Sequence, residues 1–296
     1  MESNFVSTGI LTLALVVRII LLGFERIFLK LLGKDSIEDK SLAITTVFFG
    51  FGAVSLFPFA IMHIKISEMI IFPIMSSIFY SFAFWMYTAS LKEGDISLVT
   101  PLYNFNLIFL LLFSTILLGE EITLMKLIGV VSIFIGLSYL QKGSSFKNSL
   151  KQVFTNTSAQ LMVSASLLMA IGRIIDGFAA TDNFTPEVYA FLIYLLITII
   201  LFTILIFKGQ VIEPYHVIKT NPSISVVSGL TNAYSYLVLI VAFNYLDVSI
   251  VEPIGALNIF FAMVLARILF KEDIRQRLFA ASLIVLGVFF LFLPTL

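Results

Sequence analysis

The chain contains an ungapped internal repeat, in which residues 95–122 align with residues 247–274 at a constant offset of 152. The identical pairs include polar residues, and two unrelated apolar segments would rarely match at polar positions by chance. They form the pattern Asp-x-Ser-x-Val-x-Pro, followed by an Asn and, fourteen residues after that, by a Glu. Internal duplication of this kind is typical of secondary transporters. The repeat therefore predicts a chain built from two copies of one unit.

The composition places both copies in a membrane. Hydrophobic residues make up 59% of the chain and charged residues 12%, whereas about a quarter of the residues in a soluble domain are charged. Apolar runs near twenty residues long predict transmembrane helices, because backbone groups in lipid must pair within their own segment. The net charge of zero argues against nucleic acid as a partner. The absence of cysteine excludes disulfides and thiolate metal sites, and we expect no metal or other cofactor.

Ten segments are predicted to span the membrane, so the predicted fold is an all-α polytopic protein. Each copy holds an odd number of spans, and the second copy must therefore be inverted relative to the first, about an axis in the membrane plane. We predict a first five-helix repeat at 1–140, a connecting loop at 141–158 and a second five-helix repeat at 159–296. The predicted spans are 7–31, 41–62, 68–91, 96–118, 123–140, 159–181, 186–207, 221–244, 249–270 and 277–294.

The charges of the loops predict an orientation. Almost all loop lysines and arginines follow spans 1, 3, 5, 7 and 9, and the opposite side of the membrane holds only Lys65 and Lys126. The positive-inside rule places the basic face in the cytoplasm and both termini outside.

Several short motifs resemble an EamA repeat of the drug/metabolite transporter superfamily. The second copy is similar in weaker form, with Lys271 in place of the usual Gly and Glu252 directly before Pro253. The resemblance covers nearly the whole chain. It implies a ten-helix transporter of the plasma or inner membrane that works by alternating access. It also implies that both termini lie in the cytoplasm, whereas the loop charges predict that they lie outside. The motifs are Ala89-Ser90-Leu91, Ser97-Leu98-Val99-Thr100-Pro101-Leu102, Leu117-Leu118-Gly119-Glu120-Glu121 and Leu127-Ile128-Gly129.

Two arginines lie near the middle of equivalent spans, Arg18 in span 1 and Arg173 in span 6. An ionised side chain there costs at least ~2.5–3.5 kcal/mol, so it must face a partner, a wet cavity or a substrate. Two guanidinium groups between the halves suit a carboxylate or a phosphate. The alternative is a pair of internal ion pairs, because Asp176 is one turn from Arg173 and Glu25 is two turns from Arg18.

Two acidic residues are candidates for contact with a substrate amine or for proton coupling. Asp176 lies deep in span 6, where an unpaired carboxylate is costly to bury. Glu252 takes the position of Thr100 in the repeat, and the alternative is that its carboxylate reaches the aqueous interface.

Aromatic and amide side chains complete the candidate binding site. They suit an amphipathic organic solute, although tyrosines also occupy helix seams and amides also join helices. The candidates are Tyr80, Phe84 and Tyr87 on span 3, Asn104 on span 4, Asn232 and Tyr236 on span 8, and Asn258 on span 9.

Conserved spacing between the two copies also predicts structural residues. Pro101 and Pro253 share one repeat position, and each removes a helix hydrogen bond. They are predicted either to permit gating flexure or to hold a static kink. Gly129 and Gly136 are predicted to allow close helix packing. The repeated Glu120 and Glu272 are predicted to cap the helices that follow them.

The sequence predicts a transporter and not an enzyme, because it lacks hydrolase, metalloprotease and phosphate-loop motifs. The predicted function is export or exchange of a small organic metabolite, an amino acid or other carboxylate, driven by a proton or a counter-substrate. Two alternatives remain open: a multidrug exporter of cationic amphiphiles, and a non-transporting receptor or scaffold. The lipid bilayer and the solute are the predicted partners, and the sequence is compatible with a monomer or a homodimer.

Overall fold

The computed structural model of the chain describes residues 2–33, 40–63, 70–118, 123–139, 155–180, 185–243, 255 and 257–292. These residues are almost entirely helical and contain no strand, which confirms the predicted all-α class. The helices are α1 (Glu2–Gly33), α2 (Ser41–Ile61), α3 (Ile71–Glu93), α4 (Ile96–Leu102), α5 (Phe105–Leu118), α6 (Leu124–Ser138), α7 (Thr157–Ala180), α8 (Pro186–Phe207), α9 (Glu213–Thr220), α10 (Pro222–Phe243), α11 (Asn258–Phe270) and α12 (Arg275–Phe292).

Five of the described helices, α2, α3, α7, α8 and α10, are long and apolar enough to cross a membrane. The apolar parts of α6, α11 and α12 are shorter. α1 has 32 residues, and three of its charged side chains, Arg18, Glu25 and Arg26, are buried. A buried charge within a membrane helix must face other protein groups or water, and not lipid. The fold is thus a polytopic membrane bundle whose interior is partly polar.

Contacts between helices follow the inverted repeat. The repeat relates α1 to α7, α3 to α10, α5 to α11, α2 to α8 and α6 to α12. α3 packs along α7 as α1 packs along α10, and α5 packs on α7 as α1 packs on α11. The pairs α2–α8 and α6–α12, which the repeat maps onto themselves, are also in extensive contact. The two halves are therefore interlocked, and the centre of the protein is an interface between repeats.

Glycines bring α6 and α12 into close contact. A Cβ atom at Gly287 would lie 2.6 Å from the carbonyl oxygen of Gly129, and one at Gly136 would lie 2.8 Å from the carbonyl oxygen of Ala280. Larger side chains at these positions would separate the two backbones. The predicted packing role of Gly136 is confirmed, and the backbone of Gly129 lies at the same close contact.

The predicted single helix at 96–118 is broken. α4 ends at Leu102 and α5 begins at Phe105, and the turn between them uses i to i+3 hydrogen bonds, such as Asn106 N to Tyr103 O at 3.0 Å. Pro101 precedes the break and cannot donate the amide hydrogen bond that a continuous helix needs. Ser166 of α7 lies against this turn, with its Oγ 3.1 Å from the carbonyl oxygen of Tyr103 and 2.8 Å from that of Met162 in its own helix.

A second difference is α9, a short helix in the region predicted to be a loop between spans 7 and 8. It begins with Glu213 and Pro214 and carries Lys219 in its last turn, a charge order that complements the helix dipole. Glu213 also forms an ion pair with Lys40 at 3.0 Å.

An ion cluster made of Lys30, Asp95, Glu272 and Arg277 joins the two repeats at the basic face of the membrane. Lys30 contacts Glu272 at 3.2 Å, and Arg277 contacts Asp95 at 3.0 Å and Glu272 at 3.7 Å. Glu272 also accepts the amide of Ile96, the first residue of α4, at 3.1 Å. The predicted cap is therefore present, but Glu272 caps a helix of the other repeat and not the helix that follows it. The position of Glu120 lies outside the described residues.

Lys271 ends α11 in the left-handed conformation, with φ at 57°. A residue with a Cβ atom pays roughly 1–2 kcal/mol there, which glycine avoids. We expect Lys271→Gly to increase the free energy of unfolding by about 1 kcal/mol, measured by denaturant unfolding in mixed micelles.

Gly209 offers the matched control for this substitution. Its φ is +68° and no neighbouring atom lies within 4 Å of where its Cβ would be. Gly209→Ala should therefore destabilise by a similar amount through backbone conformation alone. A Lys271→Gly variant less stable than the parent chain would contradict this account of the α11 terminus.

Candidate functional site

A central cavity lies between the two repeats, with a volume of about 40 Å³. It is lined by α1, α3, α7, α10 and α11, by the turn between α4 and α5, and by the start of α5. The volume is enough for a few water molecules, whereas pockets that bind organic solutes usually measure about 300–1,000 Å³. The site-residue candidates that line it are Arg18, Phe84, Tyr87, Asn104, Arg173, Asn232, Tyr236 and Asn258.

Arg18 reaches the cavity beside the backbone of Gly255. Its side chain is buried, and a Cβ atom at Gly255 would lie 2.5 Å from Arg18 Nη1. Gly255 takes the repeat position of Tyr103. A side chain at this position would force the end of the Arg18 side chain to shift.

Arg173 and Asp176 belong to a second polar group, which we call the aspartate cluster: Asp176, Arg173, Ser76, Tyr80, Tyr189 and Tyr236. Asp176 Oδ1 accepts from Ser76 at 2.9 Å and from Tyr189 at 2.7 Å. Asp176 Oδ2 accepts from Tyr80 at 2.6 Å and from Tyr236 at 2.9 Å, and Arg173 Nη1 lies 3.5 Å from the same oxygen.

Through hydrogen bonds and an ion pair to one carboxylate, the aspartate cluster connects four helices from both repeats. Four hydroxyl donors and a guanidinium group surround the two oxygens of Asp176. The guanidinium of Arg173 also lies over the rings of Tyr80 and Tyr236, at 5.7 and 5.4 Å from their centroids. Asp176 is thus a buried anchor beside the cavity, and neither it nor Tyr80 lines the cavity wall.

Among the described carboxylates, Glu25 is the one that lines the cavity. Its Oε2 accepts from Asn232 Nδ2 at 2.7 Å, and the hydroxyl of Tyr87 interacts with it as well. Tyr194 in turn donates to Asn232 Oδ1. Because the Asn232 oxygen faces Tyr194, the Asn232 amino group is directed at Glu25. This chain of hydrogen bonds joins α1 of the first repeat to α8 and α10 of the second.

Arg26 follows Glu25 and is buried in the same wall. Its Nε donates to the hydroxyl of Tyr87 at 3.2 Å, and its guanidinium lies 5.5 Å from the ring centroid of Tyr103. Among the described residues, the cavity wall holds three arginines, Arg18, Arg26 and Arg173, against one carboxylate, Glu25. The wall therefore carries an excess of positive charge.

Several buried polar atoms of the wall residues have no hydrogen-bond partner within the described part of the chain. They include acceptors and donors in similar number, and buried polar groups need a partner, a water or a ligand. The atoms are Arg26 Nη1, Asn106 Oδ1, Ser235 Oγ and Asn258 Oδ1.

The predicted site residues include only part of this wall. Glu25 was interpreted only as an ion-pair partner, and Arg26, Tyr103, Asn106 and Ser235 were not selected. The spacing of α1 contained the signal, since positions 18, 22, 25 and 26 fall on one helix face, and all four line the cavity. Glu252 and Pro253 lie outside the described residues, and the side chain of Pro101 is not described.

The comparisons with known proteins agree with the repeat. The model of the EamA-like transporter family matches the chain twice, over residues 7–140 and 156–293. A crystal structure of a protein with 15% sequence identity aligns over 94% of this chain and 95% of its own, with a TM-score of 0.59; at that identity the likeness concerns the fold alone. No curated protein matches the chain.

Proposed function

The chain belongs to the EamA-like transporter family, and we propose that it exports or exchanges a small organic metabolite that carries a carboxylate, with amino acids as the first class to test. The single observation that carries the proposal is the position of Arg18, Arg26 and Arg173 in the wall of one cavity between the repeats. Guanidinium groups bind carboxylates through paired, charge-assisted hydrogen bonds. A carboxylate solute would also offset the positive charge of the wall.

Arg18 is the best candidate for the direct carboxylate contact. Arg173 is already engaged with Asp176 and with the faces of two tyrosines. The rings of Phe84, Tyr87 and Tyr236 would enclose the apolar body of the solute, while Asn104 and Asn258 would supply polar contacts. Asp176 holds the wall residues Arg173 and Tyr236 in place. Glu252 is a second candidate for contact with an amine or a coupling proton.

Alternating access explains why the cavity is small. A cavity of about 40 Å³ cannot admit a metabolite until the two repeats move apart on one side, so this conformation is the closed one in the proposed cycle. The break between α4 and α5 lies at the cavity wall, where a discontinuous helix can adjust with little loss of hydrogen bonding. Pro101 and Pro253 are the proposed gating positions of the two repeats.

The test is counterflow in proteoliposomes with labelled amino acids, other carboxylates and quaternary amines. We expect exchange of a carboxylate-bearing solute, and we expect Arg18→Gln to slow it about tenfold to a hundredfold, because a hydrogen bond to a charged group contributes about 1.5–3 kcal/mol. Arg267→Gln is the matched control, since Arg267 is exposed on α11 and does not line the cavity.

The same panel tests the alternatives. Exchange of quaternary amines that is unaffected by Arg18→Gln would favour a multidrug exporter, for which the aromatic wall and the acidic residues would be the binding groups. A folded protein that exchanges none of the solutes would contradict the carboxylate proposal and favour the receptor or scaffold alternative.

A further inference from the structure

We propose that Glu25 recognises the positively charged group of the solute, so that the cavity selects molecules carrying an ammonium group as well as a carboxylate. This inference rests on the proposed transport function and narrows its substrate class to zwitterions. It assigns to Glu25 the role for which the sequence suggested Asp176 or Glu252.

The two described carboxylates near the cavity differ in what already surrounds them. Asp176 accepts from four hydroxyl groups and faces Arg173, so both oxygens are fully used and the group does not line the cavity. Glu25 lines the cavity, accepts from the amide of Asn232 and interacts with the hydroxyl of Tyr87, and the charges of Arg26 and Arg18 attract it from the same wall. The carboxylate of Glu25 faces the cavity and can accept from a bound cation, whereas protein donors enclose that of Asp176.

In the proposed cycle, the contact between Glu25 and Asn232 opens during transport. Glu25 belongs to the first repeat and Asn232 to the second, and the bond of 2.7 Å between them closes the wall. Movement of the repeats past each other breaks this bond and leaves Glu25 Oε2 in need of a donor. An ammonium group of the solute supplies that donor, so that binding favours the open conformation.

Two amide oxygens in the same wall add to the acceptors for an ammonium group, which has three N–H donors. Asn258 donates through Nδ2 to the carbonyl oxygen of Gly255 at 2.7 Å, which fixes the orientation of its amide. Its Oδ1, like Asn106 Oδ1, is buried and has no donor within the described residues. Arg26, next to Glu25 in the chain, holds its Nη1 in the same wall. Groups suited to both ends of a zwitterion are therefore close together.

The experiment compares each labelled L-amino acid of a panel with its N-acetyl derivative, which keeps the carboxylate and loses the charged amine. The parent chain should exchange the best amino acid at least about tenfold faster than its derivative, as expected for loss of one charge-assisted contact. Glu25→Gln preserves the shape of the side chain and should abolish this preference. Glu25→Asp should retain it at a lower rate.

A second readout does not depend on transport. In detergent, a bound amino acid raises the melting temperature of the protein by mass action, and this increase should be lost in Glu25→Gln. Glu213→Gln is the control for loss of a carboxylate, because Glu213 lies on α9, away from the cavity. If Glu25→Gln does not fold, Tyr194→Phe replaces it, because removal of the hydroxyl that orients Asn232 should weaken the preference without changing any charge.

The outcomes separate this inference from the transport proposal. A Glu25→Gln variant that keeps the preference for amino acids overturns the role of Glu25, as does a parent chain that exchanges both members of each pair equally, and in both cases transport stands. Stabilisation by amino acids that requires Glu25, without any exchange, supports the role of Glu25 and contradicts transport. A parent chain that neither exchanges nor is stabilised by any amino acid overturns both.

Discussion

Asp176→Ala should lower the free energy of unfolding by about 3–5 kcal/mol, the usual effect of removing one partner of a buried ion pair. The substitution leaves Arg173 charged in the interior, and it removes the acceptor of Tyr80, Tyr189 and Tyr236. The side chain of Asp176 is fully buried, so water cannot replace the lost contacts. Denaturant unfolding in mixed micelles measures the difference.

Tyr189→Phe is the control within the same cluster. It removes one hydroxyl donor and keeps the charge balance, so the expected loss is about 0.5–1.5 kcal/mol. If Asp176→Ala were no more destabilising than Tyr189→Phe, the aspartate cluster would not be the anchor between the repeats that its hydrogen bonds indicate.

Gly229→Ala should destabilise the protein by about 1–3 kcal/mol, because overpacking forces backbone shifts. Gly229 lies on α10 where it crosses α2. A Cβ atom there would lie 2.6 Å from the carbonyl oxygen of Phe48 and 2.7 Å from the Cβ atom of Phe51. Neither atom can turn away as the end of a flexible side chain can, so the two helices have to separate.

Gly177→Ala is the matched substitution with the opposite expected sign. Gly177 lies within α7, and no atom is within 4 Å of the position of its Cβ. Alanine should stabilise the helix there by roughly 0.5–1 kcal/mol. Thermal melts of both variants measure the difference, and equal shifts would show that helix propensity, and not the contact with α2, determines the cost at Gly229.

The helices were predictable from the sequence because apolar runs and their flanking charges act locally. α8 begins at Pro186 and ends at Phe207, at the predicted boundaries, where a proline and the pair Lys208-Gly209 mark the ends. The break after Pro101 was not predicted, because a proline near the start of a helix is often tolerated. The turn packs against Ser166, a residue of the other repeat whose Oγ lies 3.1 Å from the carbonyl oxygen of Tyr103, and local sequence carries no information on such a contact.

The candidate site was only partly predictable, for a related reason. The repeat identified Arg18 and Arg173 as equivalent positions, but their surroundings differ. Arg173 has an aspartate one turn later, whereas Arg18 lies against Gly255, which no sequence pattern singles out. The donors of Asp176 come from positions 13 to 100 residues away, and local periodicity holds no information on such pairings.

The ion cluster at the basic face has a consequence for biosynthesis. Glu272 is 176 residues later in the chain than the amide of Ile96 that it caps, so at about 5–20 residues per second the ribosome completes it roughly 10–35 s after that amide. During this interval the newly inserted first repeat lacks the cap of α4 and the anion that contacts Lys30. The first repeat is therefore structurally incomplete until the second repeat has been synthesised. Ribosome-bound intermediates arrested before Glu272 are the species that insertion chaperones and membrane proteases would encounter.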